Sequence, residues 1–191
     1  MNVIEIIKLK MKFAINKSVI KNANVVYNSK YIHCGKNVRI KRDARLECYN
    51  VFAGKEYFPK LIFGNGVIIN QRFTVFVTDL LIIGENTIIA NDVLITTENH
   101  GMNPEIDIPY HAQPLISKPV LIGRNCWIGA KTTILPGAEL GDNVIVGCNS
   151  VVTKKFPSNV IIAGCPAKIL KTYDFDKHTW INYNDSFNEK R

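Results

Sequence analysis

The chain has 191 residues, 47% hydrophobic and 21% charged, which fits one globular domain and excludes a disordered chain. No apolar run reaches the roughly 18 residues that a membrane-spanning helix needs. The five cysteines (Cys34, Cys48, Cys126, Cys148, Cys165) include no C-x-x-C pair, so neither a disulfide framework nor a zinc site is expected.

The formal charge of +8 is concentrated at one end: residues 1–45 carry eleven Lys/Arg and two acids, the remainder thirteen and fourteen. Residues 1–30 form a basic N-terminal segment. Within it, residues 2–15 predict a helix with Val3, Ile7, Met11 and Ile15 on one side and Lys8 and Lys12 on another. That pattern suits a helix lying in a membrane interface, and equally one that covers an open end of the structure behind it. Lysines at 8, 10 and 12 interrupt the apolar run, so no signal-peptide core is expected and the chain reads as intracellular. A basic end favours a lipid surface or an acidic glycan. Nucleic acid is not expected, because no aromatics are interleaved with the basic residues in a binding pattern.

From residue 31 to about 171 the dominant signal is a period of six. Ile116, Ile122, Ile128, Ile134, Leu140, Val146 and Val152 follow one another at strict six-residue steps. Four positions after each of the first six stand Val120, Cys126, Thr132, Ala138, Val144 and Ser150, all small or β-branched. Upstream sets share the rhythm: Cys34, Ile40, Leu46; Phe63, Ile69, Val75; and Ile83, Ile89, Ile95, the last with Thr87, Val93 and Asn99. Phase breaks fall around 52–62 and 76–82. Neither a helix nor simple strand alternation has this period. Six residues supply a short strand and a corner. Three such sides close a triangular coil, and successive coils stack through backbone hydrogen bonds about 4.8 Å apart. Gly directly after the aliphatic position (Gly123, Gly129, Gly141, Gly147) is expected to supply backbone angles other residues resist.

An excursion over residues 101–115 breaks the period, and three prolines oppose strand pairing there. A loop leaving a rigid scaffold is a natural binding site. His100 stands at its root, and a neutral imidazole can remove a proton at physiological pH. A histidine that only hydrogen-bonds across a corner would look the same.

The segment V-L-I-T-T-E-N-H-G at 93–101 and the ordered set W-I-G, L-P-G, V-V-T-K and A-G-C-P-A-K resemble the hexapeptide-repeat acetyltransferases. Within them, the similarity is to the group that O-acetylates maltose, galactosides and capsular polysaccharides. It is good over 60–171 and loose over 31–59. The resemblance implies an all-β fold, a left-handed parallel β-helix, against the usual right-handed crossover. It implies a homotrimer with active sites between subunits, acetyl-CoA as acyl donor, a saccharide acceptor, and no metal. It assigns His100 as general base and the Ala130 backbone N–H as oxyanion donor. Ala130, Trp127, Cys148, Thr153, Lys154, Lys168 and Lys171 would contact acetyl-CoA, and Asn70 the acceptor. Cys148 replaces a smaller residue. The two C-terminal lysines stand where arginine is frequent, which keeps charge without bidentate geometry. Glu98, Asp79 or a backbone carbonyl could orient His100.

Residues 172–191 form an aromatic-rich tail that packs at the far end or frays. The acceptor is expected to be acidic or lipid-linked, and the enzyme cytoplasmic, with peripheral contact at the inner face of a membrane. Alternatives are an N-acyltransferase on an amino-sugar nucleotide, or a non-catalytic β-helix that binds glycans or scaffolds an assembly. A carbonic-anhydrase-like metal trimer would need a third histidine partner for His100 and His111.

Overall fold

The computed structural model describes residues 3–21 and 23–183. From Val19 onward the chain visits three parallel sheets in fixed rotation. One turn runs from Arg39–Ile40 in the first sheet to Ala44–Cys48 in the second and, after an excursion, Lys60–Phe63 in the third. The next turn opens with Ile68–Ile69, paired in parallel on Arg39–Ile40. The second and third sheets have six strands each, and the first has nine. The architecture is thus mostly parallel β, a three-sided stack of coils with one α-helix.

The period of six is the period of inward-pointing side chains. Ile40, Ile69, Ile89, Ile128 and Val146 pair up the first sheet and Leu46, Val75, Ile95, Ile134 and Val152 up the second. Phe63, Ile83, Ile122, Leu140 and Phe156 do so in the third. All are buried, as are Val120, Cys126, Thr132, Ala138, Val144 and Ser150 at the second inward position. Each large aliphatic contributes roughly 1.5–3 kcal/mol, realised only once the next coil covers it.

Two expectations are corrected. Ile116, although in phase, is exposed and pairs antiparallel with Asn99, which is exposed too. The chain has left the coil there and returns only at Val120. The repeat glycines also act differently: Gly123, Gly129, Gly141 and Gly147 do not have left-handed φ. They are needed because coils approach closely; a Cβ on Gly123 would lie 2.4 Å from the Gly141 carbonyl oxygen. The left-handed corner residues lie two positions later and are mostly asparagine: Asn86, Asn125, Asn143 and Asn159, with φ of 54–60°. Asn tolerates this region better than most residues. Here its side chains also form a ladder, Asn125 donating to Asn143 and Asn143 to Asn159, both at 2.8 Å.

The stack reaches back beyond residue 31. Val19–Ile20 pairs in parallel with Arg39–Ile40, and Ala23–Tyr27 with the second-sheet strand Ala44–Cys48. A 3₁₀ turn at Ser29–Tyr31 makes the step from Val26 to Cys34 eight instead of six, which hides this first coil from a search for sixes. The helix Val3–Ile15 packs on it through buried Leu9 and Phe13, the latter edge-on to Phe63 at 6.2 Å. The face carrying Val3, Ile7, Met11 and Ile15 stays exposed. At the other end Val160–Gly164 pairs antiparallel with Ala167–Asp174, which pairs antiparallel with Thr179–Asn182. Tyr173 packs there against Phe175 and Trp180. The tail beyond residue 183 lies outside the described residues.

Candidate active site

Between the first and second sheets, and between the third and first, every step from one inward aliphatic to the next is six residues. Between the second and third sheets the step varies: Leu46 to Phe63, Val75 to Ile83 and Ile95 to Ile122 all carry extra chain. The first insertion folds as a small hairpin, Val51–Phe52 on Lys55–Glu56. The last leaves through an antiparallel stem, Glu98–Asn99 on Ile116–Ser117. Buried Gln113 holds that loop: its Oε1 accepts from the Asn103 N–H at 3.0 Å, and its amide donates to the Asn103 and Ile108 carbonyls at 2.9 Å.

The two excursions, stacked on one edge, wall a cleft of about 390 Å³ against the outer side of the second sheet. Phe52, Phe76 and Leu115 supply apolar walls, and Tyr49, Thr96, Glu98, Asn99 and His100 the polar groups. The ring of His100 lies 5.6 Å from that of Phe52, inclined at 59°. Among the described residues neither Glu98 nor Asp79 hydrogen-bonds the imidazole. Asp79 instead accepts from the Leu80 N–H at 2.7 Å.

Beneath the cleft Glu47 is buried and doubly held: Arg45 Nε donates to one carboxylate oxygen and the Tyr49 hydroxyl to the other. The Arg45 guanidinium also lies over the Phe76 ring, 4.9 Å from its centre. Burial first, then the bond to Glu47, pushes the Tyr49 phenol up, so it remains a donor. The Thr96 hydroxyl is used too, donating to the Glu98 carbonyl at 3.0 Å. Glu98 differs: its Oε2 is buried without a hydrogen-bond partner. Burial pushes its pKa up to about 7; the Thr78 hydroxyl opposes the shift, and the charge of Glu47 adds to it.

The other expected site residues fall elsewhere. Asn70, Ala130 and Cys148 lie at corners between the first and second sheets, on a different edge from His100. The Asn70 amide donates to the Ile89 carbonyl at 3.0 Å. The Ala130 carbonyl accepts from Asn149, whereas its N–H has no partner among the described residues. The width of the second sheet, roughly 15 Å at 3.3 Å per residue, separates Ala130 from the edge of His100. Thr153 and Lys154 share that edge, exposed, two coils on; Trp127, Lys168 and Lys171 are exposed on the first sheet and its antiparallel extension. One chain therefore does not bring His100 and Ala130 together. Sequence reasoning missed Arg45, Glu47, Tyr49, Phe52 and Phe76. Their signal was the pair of phase breaks, which flank these residues on the edge of the excursion. No group of three or more His, Cys, Asp or Glu suited to a metal occurs among the described residues.

Residues 119–154 match the family described as bacterial transferase hexapeptide (six repeats). The chain is 38% identical over 126 residues to a putative lipopolysaccharide biosynthesis O-acetyl transferase, WbbJ, of Escherichia coli, covering 63% of this chain and 64% of that one. It is 33% identical over 123 residues to the galactoside O-acetyltransferase of the same organism, covering 64% and 59%. The chain thus spans less than two thirds of the length of these relatives. In structure it is similar to a single-substitution mutant of AntD, an N-acyltransferase from Bacillus cereus, solved with dTDP-4-amino-4,6-dideoxyglucose and coenzyme A. The TM-score is 0.69 at 20% identity, covering 93% and 91% of the two chains, a likeness of fold. The chain carries the hexapeptide repeat of the bacterial transferases and resembles their sugar O-acetyltransferases.

Proposed function

We propose that the protein is an acetyl-CoA-dependent O-acetyltransferase acting on a hydroxyl of a saccharide or polysaccharide precursor. The observation that carries this reading is His100: an accessible imidazole fixed to a rigid edge, at an apolar-walled cleft, in a chain related to sugar O-acetyltransferases. His100 takes the proton from the acceptor hydroxyl as its oxygen attacks the thioester carbonyl carbon. The tetrahedral oxyanion is met by the Ala130 N–H. It collapses with loss of the C–S bond, and the imidazolium returns the proton to the departing CoA thiolate. No acyl-enzyme is required, because both reactants are held together.

Because base and oxyanion donor sit on different edges, the reading includes a homotrimer in which the His100 edge of one copy faces the Ala130 edge of the next. The coil is left-handed in this reading, as in the family it resembles. The principal domain, read from the sequence as residues 31–171, takes in the coil that starts at Val19 as well, which leaves the basic helix Val3–Ile15 as the appendage and 172–191 as a tail. The donor lies along the flank, with Trp127 and Cys148 beside its pantetheine arm, Thr153 and Lys154 holding it, and Lys168 and Lys171 on its phosphates. Asn70 contacts the acceptor. A cytoplasmic location at the inner face of a membrane follows from the donor and from the exposed stripe Ile4, Ile7, Met11 and Ile15, flanked by Lys8, Lys10 and Lys12.

The test is CoA release from acetyl-CoA with sugar acceptors. His100→Ala is expected to lower kcat by roughly 10²–10⁴-fold while CoA binding and the melting temperature hold. Undiminished turnover overturns the mechanism. Hydrolysis of the product by mild base distinguishes an ester from the amide that an N-acyltransferase would form.

A further inference from the structure

The cleft beside His100 has a polar budget that is almost entirely spoken for. The Tyr49 hydroxyl is held by Glu47, the Thr96 hydroxyl by the backbone of Glu98, and the Arg45 guanidinium by Glu47 and the face of Phe76. What is left for a ligand is the His100 ring, the Asn99 amide and the Glu98 carboxyl, whose Oε2 is shut away from bulk water with nothing bonded to it. A buried oxygen without a partner costs free energy unless something fills the role, and such groups are rare in native structures. No lysine or arginine is among the residues lining the cleft, and the nearest guanidinium, that of Arg45, is paired with Glu47. Its walls are the Phe52 and Phe76 rings, of the kind on which the C–H face of a sugar ring rests.

Resting on the acetyltransferase reading above, we infer that Glu98 is an acceptor-binding and specificity-determining residue. Its carboxyl, which lines the cleft, takes a hydroxyl of an uncharged pyranose ring held between Phe52 and Phe76, one sugar hydroxyl away from the oxygen that faces His100. The ring that enters the cleft bears no carboxylate when Glu98 is ionised, because an acid there would meet Glu98, with Glu47 behind it, while the nearest guanidinium, Arg45, is already paired with Glu47. Any anionic portion of the acceptor stays outside, towards the basic N-terminal segment. Glu98 serves this role in either protonation state: ionised it accepts the sugar hydroxyl, protonated it donates to it.

The test uses methyl pyranosides of the gluco, galacto and manno series, their uronic acids and their 2-amino counterparts, with acetyl-CoA and CoA-release kinetics. The wild-type protein is expected to acetylate at least one neutral glycoside and to use the matching uronate at least tenfold less well. In Glu98→Gln, acceptor KM for the neutral glycoside rises roughly 10–100-fold, acetyl-CoA KM is unchanged, and discrimination against the uronate narrows. Phe52→Leu, which keeps an apolar wall and removes the ring, raises acceptor KM independently of Glu98. An unchanged acceptor KM in a folded Glu98→Gln overturns the assignment. So does a preference for uronates, or a preference for the amino sugars that Glu98→Gln abolishes. If CoA binds but none of these sugars is acetylated, the pyranose assignment falls; if CoA does not bind, the acetyltransferase reading itself falls.

Discussion

Two of the three edges of the stack are metronomic, and the third is not. Along the first–second and third–first edges every coil turns in six residues, with asparagine or aspartate in the left-handed position at most corners and glycine where the coils touch. Along the second–third edge the chain inserts a 3₁₀ turn, a hairpin and a long loop, and there it gathers Tyr49, Phe52, Glu98 and His100. The regular edges are dictated by stacking, where each backbone must fit the one above it. The irregular edge is free of that constraint because its extra residues hang outside the ladder. Stability and chemistry are thus divided between edges of the same coil.

The sharpest way to break this contrast is on a regular edge. Gly123→Ala places a methyl 2.4 Å from the Gly141 carbonyl oxygen, against backbone that has no room to yield. A loss of about 3 kcal/mol or more is expected by chemical denaturation, felt as global unfolding. Next is Gln113→Ala on the irregular edge. It removes three hydrogen bonds from a buried amide and strands their partners, a local cost of about 2 kcal/mol. Hydrogen exchange should quicken across residues 101–115 while strands such as Leu94–Thr96 stay protected; equal loosening of both would erase the division.

The smallest effect concerns Glu98. Its folded pKa is raised from the ordinary carboxylate range to about 7, first by burial and then by Glu47. The unfolded chain therefore ionises it earlier. The contribution of this group to stability is undiminished below about 4.5, falls as pH rises between that value and about 7, and stays lower above. Glu98→Gln should melt a few degrees above the wild type at pH 8 and level with it at pH 4.5, partial exposure having screened much of the difference.

The coil was legible because burial repeats: Ile122, Ile128 and Ile134 announce three sides in eighteen residues. The first coil was not, since a step of eight from Val26 to Cys34 breaks the count while the strand pairing persists. His100 was legible through the loop it opens. Glu47 and Arg45 were not, because an outward-facing carboxylate and guanidinium on a strand both look like solvated surface; Arg45 is indeed exposed, and only the structure shows Glu47 buried between it and Tyr49. The role of glycine was misread for a related reason. Sequence records that a side chain is absent, but whether it is the torsion or the neighbour that forbids one depends on the next coil.

The ends of the stack bear on its size. A ladder of identical rungs contains nothing that says where to stop, and two such molecules could in principle add one upon another as a filament. Here the first coil is roofed by Leu9 and Phe13, and at the opposite end the first sheet runs on through Ala167–Asp174 and Thr179–Asn182 while its two companions finish at Val151–Val152 and Lys155–Phe156. Among the described residues that end is a staircase rather than a platform, so the height of the stack is bounded by a roof at one end and a step at the other.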